Sequence, residues 1–100
     1  MSRVAMVASL KYGVYQDAKQ LIASGPPFDP TETPLVSHEV FLSDAEVVFV
    51  FEGPDVTEAV AQLAADPSVW RAAGAWADLL AGKPRVAEES YRWSRGESGS

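Results

Sequence analysis

His38 is the only histidine in the chain, and imidazole is the side chain that most readily exchanges a proton near neutral pH. Glu39 stands next to it, but consecutive side chains of a strand point to opposite faces, so the two cannot act as a local acid–base pair. Glu88 and Glu89 are separated in the same way. A single histidine in a chain without cysteine makes no metal site, because metals recruit three or four ligands converging from several elements. No Ser-His-Asp set, phosphate-binding glycine loop or HExxH spacing is present. What remains beside His38 is an aromatic set, Tyr12, Tyr15, Tyr91 and Trp93. Such residues combine large area with a polar handle, and suit either the rim of a pocket for a planar ligand or a seal between two copies of the chain. His38 is the candidate proton-transfer group; the competing reading is a hydrogen-bonded structural histidine.

The elements that must position these groups are bounded by composition. One hundred residues make one domain with one core. With 47% hydrophobic and 22% charged residues, the balance is that of an ordinary globular protein rather than a disordered or fibrous one. A net charge of -6 argues against nucleic acid and anionic membrane as partners, since both are met by dense Lys and Arg. The absence of cysteine excludes disulfides and thiolate chemistry and fits a reducing compartment, so a cytoplasmic location is expected. The segment Met1-Ser2-Arg3-Val4-Ala5-Met6-Val7-Ala8 is too short an apolar run before Lys11 for a signal core and reads as a strand. No stretch approaches the length of a membrane span.

Periodicity predicts a first strand over 3–11 that ends at Gly13, and a helix over 14–24 with Val14, Ala18, Leu21 and Ile22 on one stripe. Gly25 supplies a left-handed cap and Pro26-Pro27 forbid continuation. The following loop carries four prolines between Gly25 and Pro34, which makes it a shaped crossover rather than a flexible linker, with Phe28 packed against the body. Strands over 35–43 and 46–52 form a hairpin without an Asn-Gly or Asp-Gly turn. If Leu42 faces Val47, one side of the hairpin collects His38, Val40, Leu42, Val47, Phe49 and Phe51, and the other Glu39, Phe41, Val48 and Val50. Asp55 with Glu58 reads as a capping box opening a second helix with Val56, Val60 and Leu63 inward. Asp66-Pro67 then restarts a helix with Trp70, Ala73, Ala77 and Leu80 on its inner stripe, leaving Trp76 outside it. A last strand over 85–93 places Ala87, Glu89, Tyr91 and Trp93 on one face, and 94–100 reads as a flexible tail after a domain of residues 1–93.

The order β-α-β-β-α-β predicts a ferredoxin-like α+β sandwich, a four-stranded antiparallel sheet with both helices on one face. The run Val47-Val48-Phe49-Val50-Phe51 is apolar on both faces of its strand, so the face away from the helices needs a cover too. A second copy of the chain packed sheet to sheet supplies one, and a homodimer is expected.

Leu10-Lys11-Tyr12-Gly13 leading into the first helix, Phe51-Glu52-Gly53-Pro54-Asp55, and the break at Asp66-Pro67-Ser68-Val69-Trp70 resemble the dimeric α/β-barrel superfamily. That group includes the antibiotic-biosynthesis monooxygenases, the stress-responsive barrel proteins and the haem-degrading monooxygenases. The resemblance implies a dimer of face-to-face sheets and a cavity in each protomer. The haem-degrading branch carries an Asn, a Trp and a haem-ligating His where this chain has Met6, Phe51 and about Gly74, so no haem and no other cofactor is expected. Two functions from different classes follow. One is a non-catalytic homodimeric module, favoured by the lack of a polar cluster. The other is a cofactor-independent monooxygenase-like enzyme acting on an apolar aromatic small molecule, with His38 in the catalytic role. Interior volume separates them, since an interior filled by Met6, Phe49, Phe51 and Trp93 leaves no room for a substrate. The resemblance puts Met6 and Phe51 on the cavity side, so an open pocket is expected to be lined by Met6, His38, Phe49 and Phe51, with Tyr12, Tyr91 or Trp93 near its mouth.

Overall fold

The five-residue apolar run lies within an interior strand, hydrogen-bonded to a neighbour on each side. A computed structural model describes residues 2–93 and Arg95. Its elements are β1 (Ser2–Ser9), α1 (Tyr15–Ala23), β2 (Ser37–Leu42), β3 (Glu46–Gly53), α2 (Val56–Ala65), α3 (Pro67–Ala72), α4 (Gly74–Ala77) and β4 (Arg85–Glu88). The sheet is four-stranded and antiparallel in the order β2-β3-β1-β4, the ferredoxin-like sandwich that the element order predicts. The residues expected to form a flexible tail, apart from Arg95, lie outside the described ones.

Register follows the apolar pattern. Leu42 pairs with Val47 and His38 with Phe51, while Val4, Met6 and Ala8 of β1 pair with Phe51, Phe49 and Val47. A slip of one residue would turn all of these away from the helices. The hairpin turn has no glycine; Ser43 replaces it. Its Oγ accepts hydrogen bonds from the backbone N–H groups of Ala45 (3.2 Å) and Glu46 (3.0 Å), the local hydroxyl–backbone bonding that makes serine a turn residue.

The core on the helix side is divided in two. Val4 and Phe51 pack with Val56 and Val60 of α2, and Ala8 and Val47 pack with Leu10 and Ala18 of α1. Phe49, half-buried, is packed against both clusters. Valines buried to this degree contribute roughly 1.5–3 kcal/mol each relative to exposure. Gly53 closes one end: a Cβ there would stand 3.0 Å from Pro34 O and 3.2 Å from Leu35 Cα, so only glycine lets the end of β3 pass beneath the crossover loop. That loop is stitched by its own side chains. Asp29 Oδ1 accepts from the Thr31 hydroxyl (2.6 Å) and N–H (3.0 Å), and Thr33 Oγ1 donates to Pro30 O (2.6 Å).

Four expectations are corrected. Asp55 precedes α2 in the left-handed region (φ 51°, ψ 41°) and makes no capping hydrogen bond from its side chain, so there is no capping box. The restarted helix is two short ones, α3 and α4, because Ala73 leaves helical geometry (φ -88°, ψ 6°) before Gly74. Trp70 is 49% exposed, whereas Trp76 is the tryptophan packed on the core. Finally, β4 ends at Glu88 rather than at Trp93, because Glu88 already pairs with Val4 and only two residues of β1 remain beyond it.

The helix-free face presents Glu39, Val50, Ala5 and Ala87 in one row and Phe41, Val48, Val7 and Arg85 in the next. A polar row bounds it at one end. There Ser37 Oγ donates to Glu52 (3.1 Å), Arg3 pairs with Glu89 (2.7 Å) and Arg92 reaches Glu52 (3.3 Å).

Candidate functional site

Between the two half-cores lies an open cavity of about 880 Å³. Its floor is the helix-side face of the sheet and draws on every strand: Met6 from β1, His38 and Val40 from β2, Phe49 and Phe51 from β3, Val86 from β4. Its roof is built from α2 (Val60, Leu63), α3 (Val69, Trp70) and α4 (Trp76), and the loop residues Pro26 to Phe28 close one side. Above the floor the second helical segment is broken: it restarts at Asp66-Pro67 and turns at Ala73, and none of the residues of α3 is buried. The exposed wall residues include Trp70 and Val86, 49% and 57% exposed.

His38 is held on three sides. Val50 O lies 3.0 Å from Nδ1, and since a carbonyl oxygen can only accept, Nδ1 carries the proton. The neutral ring then has its lone pair on Nε2. The imidazole stacks on Phe51, with centroids 4.6 Å apart and planes at 19°, and leans on Phe28 at 5.5 Å. One nitrogen anchored to the backbone and the ring clamped by two aromatics leave Nε2 as an oriented acceptor in a wall that is otherwise almost wholly apolar. A fixed imidazole acceptor can take a hydrogen bond, or a proton, from a phenol or an acidic C–H of a bound molecule.

The structure therefore brings Met6, His38, Phe49 and Phe51 together in one wall. It does not bring the other aromatics to them. Tyr12 (104% exposed) lies in the turn after β1, and Tyr91 and Trp93 (81% and 65%) follow the end of β4; none lines the cavity. Trp93 does not fill the interior either. The sequence reading missed Trp76, whose ring meets Phe49 edge to face at 5.4 Å and 85°. The signal was present, since Trp76 stands three residues after Ala73 and four before Leu80, the spacing of a shared helical face. It also missed Trp70 as a roof residue; its indole N–H donates to Ala64 O, one of the last carbonyls of α2 that have no partner within the helix. No local pattern marks Lys83, which joins the rim from the turn before β4.

No group of three or more His, Cys, Asp or Glu side chains placed to hold a metal occurs among the described residues. No helix among them is long and apolar enough to cross a membrane.

No family model and no curated protein matches the sequence. Solved structures do match the fold. A crystal structure of an antibiotic biosynthesis monooxygenase superposes with a TM-score of 0.65 over 92% of this chain and 99% of that one, at 15% identity. A second, assigned as an antibiotic biosynthesis monooxygenase from Chloroflexus aurantiacus J-10-fl, gives 0.54 over 94% and 95% at 14% identity. This chain has their fold. Identities so low carry the architecture and leave the chemistry to be argued from the cavity itself.

Proposed function

We propose that this protein is a cytoplasmic homodimer that binds a flat, apolar aromatic small molecule in the cavity and oxidises it without a cofactor, with His38 as the proton acceptor. The observation that carries the reading is the open cavity beneath α3, with apolar walls and a single oriented imidazole acceptor. A cavity of about 880 Å³ is within the size range of small-molecule sites, and a protein of 100 residues that leaves such a space in its core forgoes burial it can ill spare. The names of the two structural neighbours point to monooxygenation. The chemistry suits the wall: Nε2 takes a proton from a phenol or an activated methylene, and the electron-rich anion reduces dioxygen, one oxygen atom ending on carbon and the other in water. A desolvated apolar wall favours a ligand with few polar groups, because one imidazole can fix orientation but cannot offset the desolvation of several charges.

The dimer rests on the helix-free face, where Phe41 is 57% exposed among Val7, Val48 and Val50, a surface suited to burial against its twofold copy. The test is a panel of fused-ring phenols followed by thermal shift and by oxygen consumption, with wild type and His38→Ala. Wild type should bind and consume oxygen. The variant should lose about 1 kcal/mol of affinity, the scale of one hydrogen bond, and nearly all turnover. A non-catalytic binding module is the second reading, favoured by the absence of any other polar cluster in the wall; binding without oxygen uptake would select it. Equal binding by both proteins would remove His38 from the site.

A further inference from the structure

Lys83 is the one residue of fixed charge in the cavity wall, and no Asp or Glu lines it among the described residues. This reverses the sign of the molecule, whose net charge is -6. The turn that carries Lys83 is fixed from both sides. Ala81 N–H donates to Ser9 O (2.8 Å), Lys11 N–H donates to Leu79 O (2.8 Å), and Leu10 bridges to Leu80. Pro84 follows and holds residue 83 out of helical geometry. The ammonium itself makes no ion pair or hydrogen bond among the described residues. Glu88, on the same face of β4 as Val86, is not part of the wall.

His38 and Lys83 stand at opposite margins of the floor. His38 is on β2, one edge of the sheet and level with Val4, and Lys83 leads into β4, the other edge, beyond Arg85 and its partner Val7; with three strand spacings across and four to five residues along, the two backbones are about 20 Å apart. Between them lie Met6 and Phe49. We infer that the ligand is an amphipathic monoanion, an elongated fused-ring acid whose body lies across Met6 and Phe49, with its carboxylate beside the Lys83 ammonium and its second polar end at Nε2 of His38. This rests on the reading of the cavity as a small-molecule site and adds to it the charge and polarity of the occupant. An anion gains a screened but favourable contact with this ammonium that a neutral ligand forgoes.

The probes are 2-anthracenecarboxylate and its neutral amide, 2-anthracenecarboxamide, titrated against the full chain with energy transfer from the tryptophans, two of which, Trp70 and Trp76, line the wall. Wild type should bind the carboxylate about fivefold more tightly than the amide at low salt, the upper end for a solvent-exposed pair. The preference should vanish in Lys83→Met, return in Lys83→Arg, and shrink at high salt. Lys83 is exposed, so these variants should fold as wild type does. A preference unchanged in Lys83→Met, or absent in wild type while both probes bind, would overturn the anion assignment and leave the cavity reading standing. Failure of both probes to bind wild type would overturn the two together.

Discussion

At the scale of single residues, the two tryptophans of the helical roof divide the work. Trp76 packs on the core and meets Phe49 edge to face, so truncating it removes both buried area and a ring contact. Trp70 is half-exposed and contributes mainly one indole hydrogen bond to Ala64 O. Trp76→Ala should therefore cost roughly 3 kcal/mol, and Trp70→Ala about 1 kcal/mol, in urea melts. A larger loss for Trp70 would mean that it, rather than Trp76, belongs to the core. Periodicity could not choose between them by counting alone, because Trp70, Ala73, Ala77 and Leu80 form an acceptable stripe if the helix is continuous. The turn at Ala73 changes the phase. His38 is legible in the sequence: Leu42 opposite Val47 makes Phe51 its partner, and only the Phe28 contact depends on the folded loop.

At the scale of elements, the Asp66 cap governs the roof. Its carboxylate accepts from the Ser68 hydroxyl (2.8 Å) and N–H (2.9 Å), and these bonds hold it below the usual carboxylate range. A lowered folded pKa means that the cap's contribution is present above the ordinary aspartate value of about 4 and is lost as pH falls through the lower folded value. Acid should thus loosen α3 first, seen as a change in tryptophan emission below about pH 4. Asp66→Asn keeps a cap that does not titrate, so that acid-induced change should largely disappear in it; an identical acid response would show that α3 does not depend on this carboxylate. Most elements could be read from the sequence because their signals are local: the Val14–Ala18–Leu21–Ile22 stripe, the Asp66-Pro67 restart, the alternating bulk of β1. The early end of β4 could not be read. Tyr91 and Trp93 continue an acceptable strand pattern, and only the register, with Glu88 already at Val4, shows that no partner strand is left.

At the scale of the whole molecule, the proposed dimer rests on the helix-free face. Val48 lies at its middle, between Val7 and Phe41, and a charge there would be buried without a partner in a sheet-to-sheet dimer. Sedimentation should show wild type as a dimer at micromolar concentration and Val48→Glu as a folded monomer with unchanged far-ultraviolet circular dichroism. A wild-type monomer would refute the dimer. The proposed dimer draws on the run from Val47 to Phe51, apolar on both faces. The cavity is not legible in the sequence, because both a filled interior and an open one are written with the same apolar residues.

The division of the core around Phe49 also bears on how such a protein can diverge. Its fully buried side chains are small, with Val4, Val47 and Val56 the largest of them, and many sequences can supply a valine or its equivalent at a few paired positions. The cavity wall is under no comparable packing constraint, since a change there alters an open space rather than a close-packed contact. Selectivity can therefore drift while the scaffold persists, and two chains that share this architecture at 15% identity are free to accept quite different molecules.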